Sequence, residues 1–265
     1  MPVALTGVAT AKACAAGVLF CAFVQRFLPS AALRSRVASI DVIEVGGGDA
    51  VVLPSTSAVL GFQYRGRVRA GEALLAPAGI TGIQSVPRTY VYEPGTGSVL
   101  VRFTPDGASC LGVPGADLAG QSVALDALLP RARVAEVRAR LEAAGDVAAR
   151  VSVVEHFLAE LPYCEDALVR RAIALLDSSI EGGSVSSVAS ALGLSARQLE
   201  RRFLARVGAT PKRFAALRRF ERVIALARTA PSWTAAALEA GYYDQSHLIR
   251  DFRRFAGTSP GKFLR

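Results

Sequence analysis

Leu199-Glu200-Arg201-Arg202-Phe203 and Leu248-Ile249-Arg250-Asp251-Phe252 are two copies of one pattern, 49 positions apart. Five residues after each phenylalanine a second block matches, Gly208-Ala209-Thr210-Pro211 in the first copy and Gly257-Thr258-Ser259-Pro260 in the second. Phe214 and Phe263 follow three residues later at the same offset. Upstream, Ala189-Ser190-Ala191-Leu192-Gly193 matches Ala237-Leu238-Glu239-Ala240-Gly241 at an offset of 48, so the second copy carries one extra residue in its turn. A run of matches in one register marks an internal duplication.

Each copy reads as helix, tight turn, helix. In the first, Val185, Val188, Ala189 and Leu192 make the apolar face of a short helix. Gly193 can take the left-handed conformation that ends it, and Ser195 suits the N-cap of the next. That next helix buries Leu199 and Phe203 and turns Arg197, Gln198, Arg201 and Arg202 outward. In the second copy Trp233 and Ala237 lead to the turn Gly241-Tyr242-Tyr243, and Asp244 can cap. Leu248 and Phe252 then face inward, while Gln245, Ser246, His247 and Arg250 stand near the exposed first turns. Such a pair is a helix-turn-helix, whose second helix enters the major groove.

Between the units, Pro211–Arg228 continues a helical stripe through Phe214, Leu217, Phe220 and Ile224, with proline at a first helical position. Eighteen residues span roughly 27 Å. With the width of the flanking units, one chain can hold two recognition helices near one DNA turn apart, roughly 34 Å. The charge agrees. Residues 1–183 hold 16 Lys+Arg against 17 Asp+Glu, whereas residues 184–265 hold 15 against 5, so the net +9 lies wholly in the last 82 residues. A basic segment beside a neutral one suits a polyanion-binding module attached to something else, and a solvated basic face is the plainer alternative.

The rest of the chain has another texture. Residues 1–33 are Ala-rich, with Lys12 ahead of an apolar run from Ala13 to Val24. Twelve residues fall short of the roughly 20 that cross a membrane. The layout resembles a secretory signal, but the first charge comes late, and the segment reads as a short apolar helix or an extension. From Val37 to Pro130 short apolar runs alternate with Gly and Pro. Candidate strands are Ile40–Val45, Ala58–Tyr64, Glu72–Ala76, Thr81–Ser85, Thr89–Glu93 and Ser98–Phe103. This spacing predicts a β-sandwich or barrel, whose interior is either a small-ligand cavity or solid core. After Pro130, Val134, Val137 and Leu141, then Val151, Val154 and Leu158, predict two amphipathic helices joined at Gly145-Asp146. Their stripes either cover the sandwich or meet the same stripes of another copy, and a homodimer is expected through them.

The last hundred residues resemble the DNA-binding domain of the AraC/XylS family of transcription regulators. The resemblance rests on Val188-Ala189, Leu192-Gly193-Leu194-Ser195, Leu199, Arg202-Phe203, Gly208 and Pro211. It continues through Ala237, Ala240-Gly241-Tyr242, Gln245-Ser246-His247-Leu248, Arg250, Phe252 and Gly257-Thr258-Ser259-Pro260. The family usually has phenylalanine where Tyr242 stands and another aromatic where His247 stands, which bears on packing. The upstream half is similar to the cupin-like sensor arms of some members.

This resemblance implies an α+β chain of three parts: an N-terminal extension (1–33), a β-rich sensor and dimerisation unit ending in two helices (34–163), and a DNA-binding domain with two helix-turn-helix units (164–265). It also implies a cytoplasmic regulator that binds double-stranded promoter DNA and either recruits RNA polymerase, as an activator, or obstructs it, with or without a small-molecule effector in the β-rich unit and with no membrane association. By their chemistry, Arg197 and Arg201 suit guanine and Gln198 and Gln245 suit adenine, with Ser246, His247 and Arg250 beside them as base readers. Ser195, Lys212, Arg213, Arg218, Arg219 and Lys262 suit phosphates. Glu200 and Asp251 are expected in intrahelical ion pairs.

Other classes find less support. His156 and His247 are the only histidines, 91 positions apart, and no CxxC joins Cys14, Cys21, Cys110 and Cys164, so no metal site is expected. No cofactor is expected either. An enzyme on the β-rich segment would have to draw on Glu72, Glu93, Arg102, Asp106 and Cys110, which show no paired or triad spacing, and Cys110 has no nearby histidine to activate it. An architectural DNA-binding protein without an effector is the remaining alternative.

Overall fold

The computed structural model describes residues 4–5, 18–19, 22–178 and 184–263. Its first half is two antiparallel sheets. The strands are β1 (Ala4–Leu5), β2 (Val18–Leu19), β3 (Ala22–Phe27), β4 (Val37–Val45), β5 (Gly48–Val52), β6 (Val59–Arg65), β7 (Val68–Ala70), β8 (Ala73–Leu74), β9 (Ala78–Thr81), β10 (Arg88–Tyr92), β11 (Thr96–Phe103) and β12 (Ser122–Ala124). Among the described residues, seven strands run in the order β1-β3-β4-β11-β6-β9-β12 and five in the order β2-β5-β10-β7-β8.

Several strand expectations shift. Residues 22–27, read from the sequence as part of a helix or extension, form β3 and pair antiparallel with β4. Residues 6–17 and 20–21 lie outside the described residues. Thr81–Ser85 is not a strand: the pairing residues are Ala78–Thr81, and the chain leaves the sheet at Gly82. Glu72–Ala76 shortens to Ala73–Leu74. β5 begins at the last glycine of the Gly46-Gly47-Gly48 breaker and crosses to the other sheet, where it pairs with β10.

The helices are α1 (Gly115–Leu118), α2 (Arg131–Ala143), α3 (Val147–Ala159), α4 (Ala167–Ser178), α5 (Val185–Ala191), α6 (Ala196–Val207), α7 (Pro211–Leu226), α8 (Trp233–Ala240), α9 (Gln245–Ala256) and α10 (Pro260–Phe263). Asp146 caps α3 by accepting from the Ala149 N–H at 2.8 Å. Val134, Val137, Leu141, Val151, Val154 and Leu158 are all buried in one core with the outer face of the seven-stranded sheet, where Phe62 meets Phe157 edge-on at 5.6 Å. These stripes cover the sheet, which corrects the expectation that they meet a second copy. An apolar stripe can be buried only once.

A second core is built from α4 to α9. Phe203 of α6 packs on Phe214 of α7 at 5.3 Å, and Phe220 of α7 packs on Phe252 and Phe255 of α9 at 5.2 and 5.3 Å. One helix thus anchors both helix-turn-helix units through rings six positions apart, the Phe203–Phe214 and Phe220–Phe252 pairs in the edge-on geometry that aromatic pairs favour. Leu53 and Ile83 of the β-rich half are buried in this same core. The chain is therefore α+β, a β-sheet unit followed by a helical one. No helix among the described residues is long and apolar enough to cross a membrane.

Candidate nucleic-acid interface

Both second helices begin with a side-chain cap. The Ser195 hydroxyl accepts from the Gln198 N–H at 3.2 Å, and the Gln198 amide oxygen accepts in return from the Ser195 N–H at 2.9 Å. This capping box satisfies two of the free donors at the start of α6. It also occupies Ser195 and Gln198, the first read as a phosphate contact and the second as a base reader. Asp244 caps α9 by accepting from the His247 N–H at 2.7 Å. Gly193 and Gly241 end the preceding helices with φ of 67° and 89°, the left-handed turn their sequence positions predict.

With Leu199, Phe203 and Val207 inward, α6 exposes Arg197 and Arg201. With Leu248, Phe252 and Phe255 inward, α9 exposes Gln245, Ser246 and Arg250. His247 is different. It is half-buried, its ring 5.0 Å from that of Tyr242 and its Nε2 3.9 Å from Asp251 Oδ2. It thus leans towards Tyr242 and Asp251, at the side of the outward row. Asp251 is itself buried, and burial first, only partly offset by His247 and Arg219, raises its carboxyl pKa. Glu200, expected in an ion pair, forms none among the described residues.

The basic residues fall into two groups. Lys212 and Lys262 are exposed. Arg213, Arg218 and Arg219 are engaged within the protein. Arg218 holds Asp177 at 2.6 Å and Glu221 at 3.1 Å, Arg213 donates to the Ser85 hydroxyl, and Arg219 lies 5.9 Å over the Tyr242 ring. Arg202 pairs with Asp166 at 2.7 Å, and Arg206 donates to the Cys164 carbonyl. Burial opposes ionisation of Asp166, yet its bonds to Arg202 and the Val169 N–H hold its pKa below the usual value. Sequence reasoning missed Arg222, which ties the Asp177 carbonyl at 2.9 Å to the Ala240 carbonyl at 3.4 Å. Nothing in its local pattern marks it.

The β-rich unit grips this module. Thr56 donates its N–H and its hydroxyl to the Glu221 carboxylate of α7, both at 2.9 Å. At Gly208 and Gly115 the two backbones are so close that a Cβ on Gly208 would stand 2.5 Å from the Gly115 carbonyl oxygen. Of the two interiors the sequence allows, the structure has a cavity of about 1340 Å3 between the sheets, open to solvent on one side. Leu53, Ser55, Ser57, Gly82 and Gln84 line it, in the same two loops that carry Thr56 and Ser85 to α7.

A protein-family model described as a helix-turn-helix domain matches residues 188–265. This segment is a helix-turn-helix domain. Over most of its length the chain is similar to solved structures of ToxT from Vibrio cholerae. A 1.65 Å structure shows 9% identity, a TM-score of 0.44 and coverage of 94% of this chain and 98% of that one. ToxT bound to an unsaturated fatty acid shows 10% identity, a TM-score of 0.47 and coverage of 85% and 94%. ToxT bound to (E)-4-(8-methylnaphthalen-1-yl)but-3-enoic acid shows 13% identity, a TM-score of 0.47 and coverage of 94% and 98%. No curated protein sequence matches the chain. The helix-turn-helix domain marks the protein as a DNA-binding regulator.

Proposed function

We propose that the chain is a sequence-specific transcription activator that reads two successive major grooves with α6 and α9. The observation that carries this is a pair of capped helices with outward polar faces, both anchored on α7 by Phe214 and Phe220. The sixteen residues of α7 span roughly 24 Å. Adding about one helix diameter, roughly 10 Å, brings the readers near one DNA turn apart. Arg197 and Arg201 serve guanine, Gln245, Ser246 and Arg250 read the second groove, and Lys212 and Lys262 hold phosphates. Leu238 and Tyr243, 74% and 93% exposed, offer an apolar pair beside α9 for RNA polymerase.

Residues 34–163 act in this reading as the sensor and 164–265 as the DNA-binding unit, working in the cytoplasm. A small molecule between the sheets reaches α7 through the loops that carry Thr56 and Ser85. No catalytic role is assigned to the β-rich unit. Burial pushes the Cys110 thiol up to about 11, although Arg36 pulls the other way, and so it is a poor nucleophile near neutral pH.

The test is a binding series over salt, on a duplex selected from a random-sequence pool and on unselected DNA. Arg197→Ala should cost about 1–3 kcal/mol on the selected site and relax preference at one base pair. Lys212→Ala should weaken both duplexes alike and lower the salt slope by about 1. Equal loss on every sequence for Arg197→Ala would remove α6 from base reading.

A further inference from the structure

The two repeats carry different chemistry at two equivalent positions of their second helices. The first unit has Gln198 and Arg202, and the second has His247 and Asp251, each 49 positions on. Arg202 is exposed and pairs with Asp166, just ahead of α4, at 2.7 Å. Asp251 is instead buried within its own unit. Three buried polar atoms gather here without a hydrogen-bond partner among the described residues: Asp251 Oδ2, the Tyr242 hydroxyl and Arg219 Nε. His247 Nε2 stands 3.9 Å from that same Asp251 oxygen. This is too far for a hydrogen bond, yet close enough for a strong attraction once the imidazole is protonated.

The surroundings narrow what can change charge. Arg219 of α7 lies 5.9 Å over the Tyr242 ring, Arg254 adds a second cation near the Asp251 carboxylate, and Arg250 stands in the outward row of α9. α8 and α10 bring the rings of Trp233 and Phe263 against Phe252. The arginines stay charged throughout the physiological range. Burial, and next the Asp251 carboxylate, push the Tyr242 phenol above its ordinary range. Histidine is the side chain that changes charge between about pH 5 and 8. His247 also bridges two environments: 32% of its side chain is exposed beside the outward row, and its inner edge meets a carboxylate only 12% exposed. Burying such a carboxylate is unfavourable unless it is paired and hydrogen-bonded. An amide at 251 would fill the same space without that cost.

We propose that the second helix-turn-helix unit is proton-linked: α9 takes up one proton at His247 as it binds DNA, with Asp251, one turn along, as the fixed counter-charge. A polyanion on the exposed side of the ring and a carboxylate on its buried side both favour the imidazolium. The coupling is reciprocal, so a proton at His247 tightens DNA binding as much as DNA tightens the hold on the proton. Gln198 and Arg202 do not titrate near neutral pH, so the proton acts on one half-site and leaves the other unchanged. The proposal rests on the reading of α9 as a DNA reader and adds how that reader is regulated.

The experiment measures the affinity of the full chain for the selected duplex between pH 8 and pH 6 at constant ionic strength. Affinity should rise about 3- to 10-fold, the range open to one proton whose hold changes by up to about one pH unit. His247→Gln, which copies Gln198, should flatten the profile, and His156→Gln should leave it intact. Asp251→Asn should move the rise to lower pH by about one unit, whereas a merely structural role for Asp251 would change affinity equally at every pH. A second measurement needs no variant. The two histidines of the chain give two imidazole C–H signals in NMR, and one of them should titrate at higher pH with the duplex than without it. A flat profile in the unaltered protein overturns the proposal, as do two unmoved imidazole signals. So does a rise that survives His247→Gln or keeps its position in Asp251→Asn. Tight binding of the selected duplex without pH dependence sinks this proposal alone. Failure to prefer that duplex at any pH sinks the reading of α9 as a DNA reader, and this proposal with it.

Discussion

Gly208 and Gly257 occupy equivalent positions in the two repeats, and the pair makes a controlled experiment on how tightly the β-rich unit is docked. Each ends the second helix of a helix-turn-helix unit in the left-handed region, with φ of 81° and 68°. Alanine at either position therefore meets the same backbone penalty, about 1–2 kcal/mol. Their surroundings differ. A Cβ on Gly257 meets nothing within 4 Å, whereas one on Gly208 lies 2.5 Å from the Gly115 carbonyl oxygen and 3.1 Å from its carbon. Restoring ordinary contact requires the two backbones to part by nearly an ångström, and forced insertion of this kind costs typically about 1–3 kcal/mol more. Gly257→Ala should thus lower stability by about 1–2 kcal/mol and Gly208→Ala by about 2–5 kcal/mol. Urea unfolding followed by circular dichroism measures both, with the slope of each transition compared first, since a change in slope would show loss of two-state behaviour. Equal shifts for the two variants would refute a close Gly115–Gly208 contact.

Other outcomes follow from single contacts. Glu221→Ala removes the acceptor of both Thr56 bonds and a partner of Arg218; it should cost about 1.5–3 kcal/mol, and urea unfolding in which Thr56→Ala and Glu221→Ala add without coupling would contradict the link. Leu141→Asp places a charge at a fully buried position and should unfold the β-rich unit; a folded variant of halved mass in sedimentation would restore the dimer stripe. For Asp251, whose folded pKa is raised above its ordinary 3.8, the associated stability is fully present below 3.8 and is lost as pH rises through the folded value. Asp251→Asn should therefore stabilise the protein at pH 7, with the gain vanishing towards pH 3, and thermal melts across that range would show it; a gain independent of pH excludes ionisation as the cause.

The helical half was legible because its signals are local. Ser195, Gly193, Asp244 and Gly241 act within three or four residues of themselves, and the duplication states each signal twice. Even so, the capping box was visible in the Ser195–Gln198 spacing, and Gln198 was instead assigned to DNA. What stayed hidden is long-range. Arg202, Arg213 and Arg218 find their partners 36, 128 and 41 positions away, and no local pattern distinguishes such an arginine from one that faces phosphate. The Arg26–Asp41–Arg102 cluster between the sheets was hidden for another reason. Alternation along β11 separates Val99 and Val101 from Ser98, Leu100 and Arg102, but it does not say which face a second sheet will enclose. The usual assumption that the polar face meets solvent fails here because two helices take the apolar face.

The placement of the grip on α7 limits how strongly a sensor could act. A ligand in the cavity meets Leu53, Ser55, Ser57, Gly82 and Gln84 on one side of two loops. The other side of those loops holds Glu221 through Thr56 and Arg213 through Ser85. Because α7 anchors Phe203 on one recognition helix and Phe252 on the other, moving it re-aims both readers together, where a contact with α6 alone would disturb one half-site. A ligand can shift DNA affinity only by its differential effect on the two arrangements. Breaking the charged Thr56–Glu221 link costs about 1.5–3 kcal/mol, which bounds the shift through it at roughly 10- to 100-fold in affinity. A response beyond that range requires the Gly115–Gly208 contact to open as well. Gly208→Ala, which forces that contact apart, should then narrow the difference between ligand-bound and ligand-free DNA affinity.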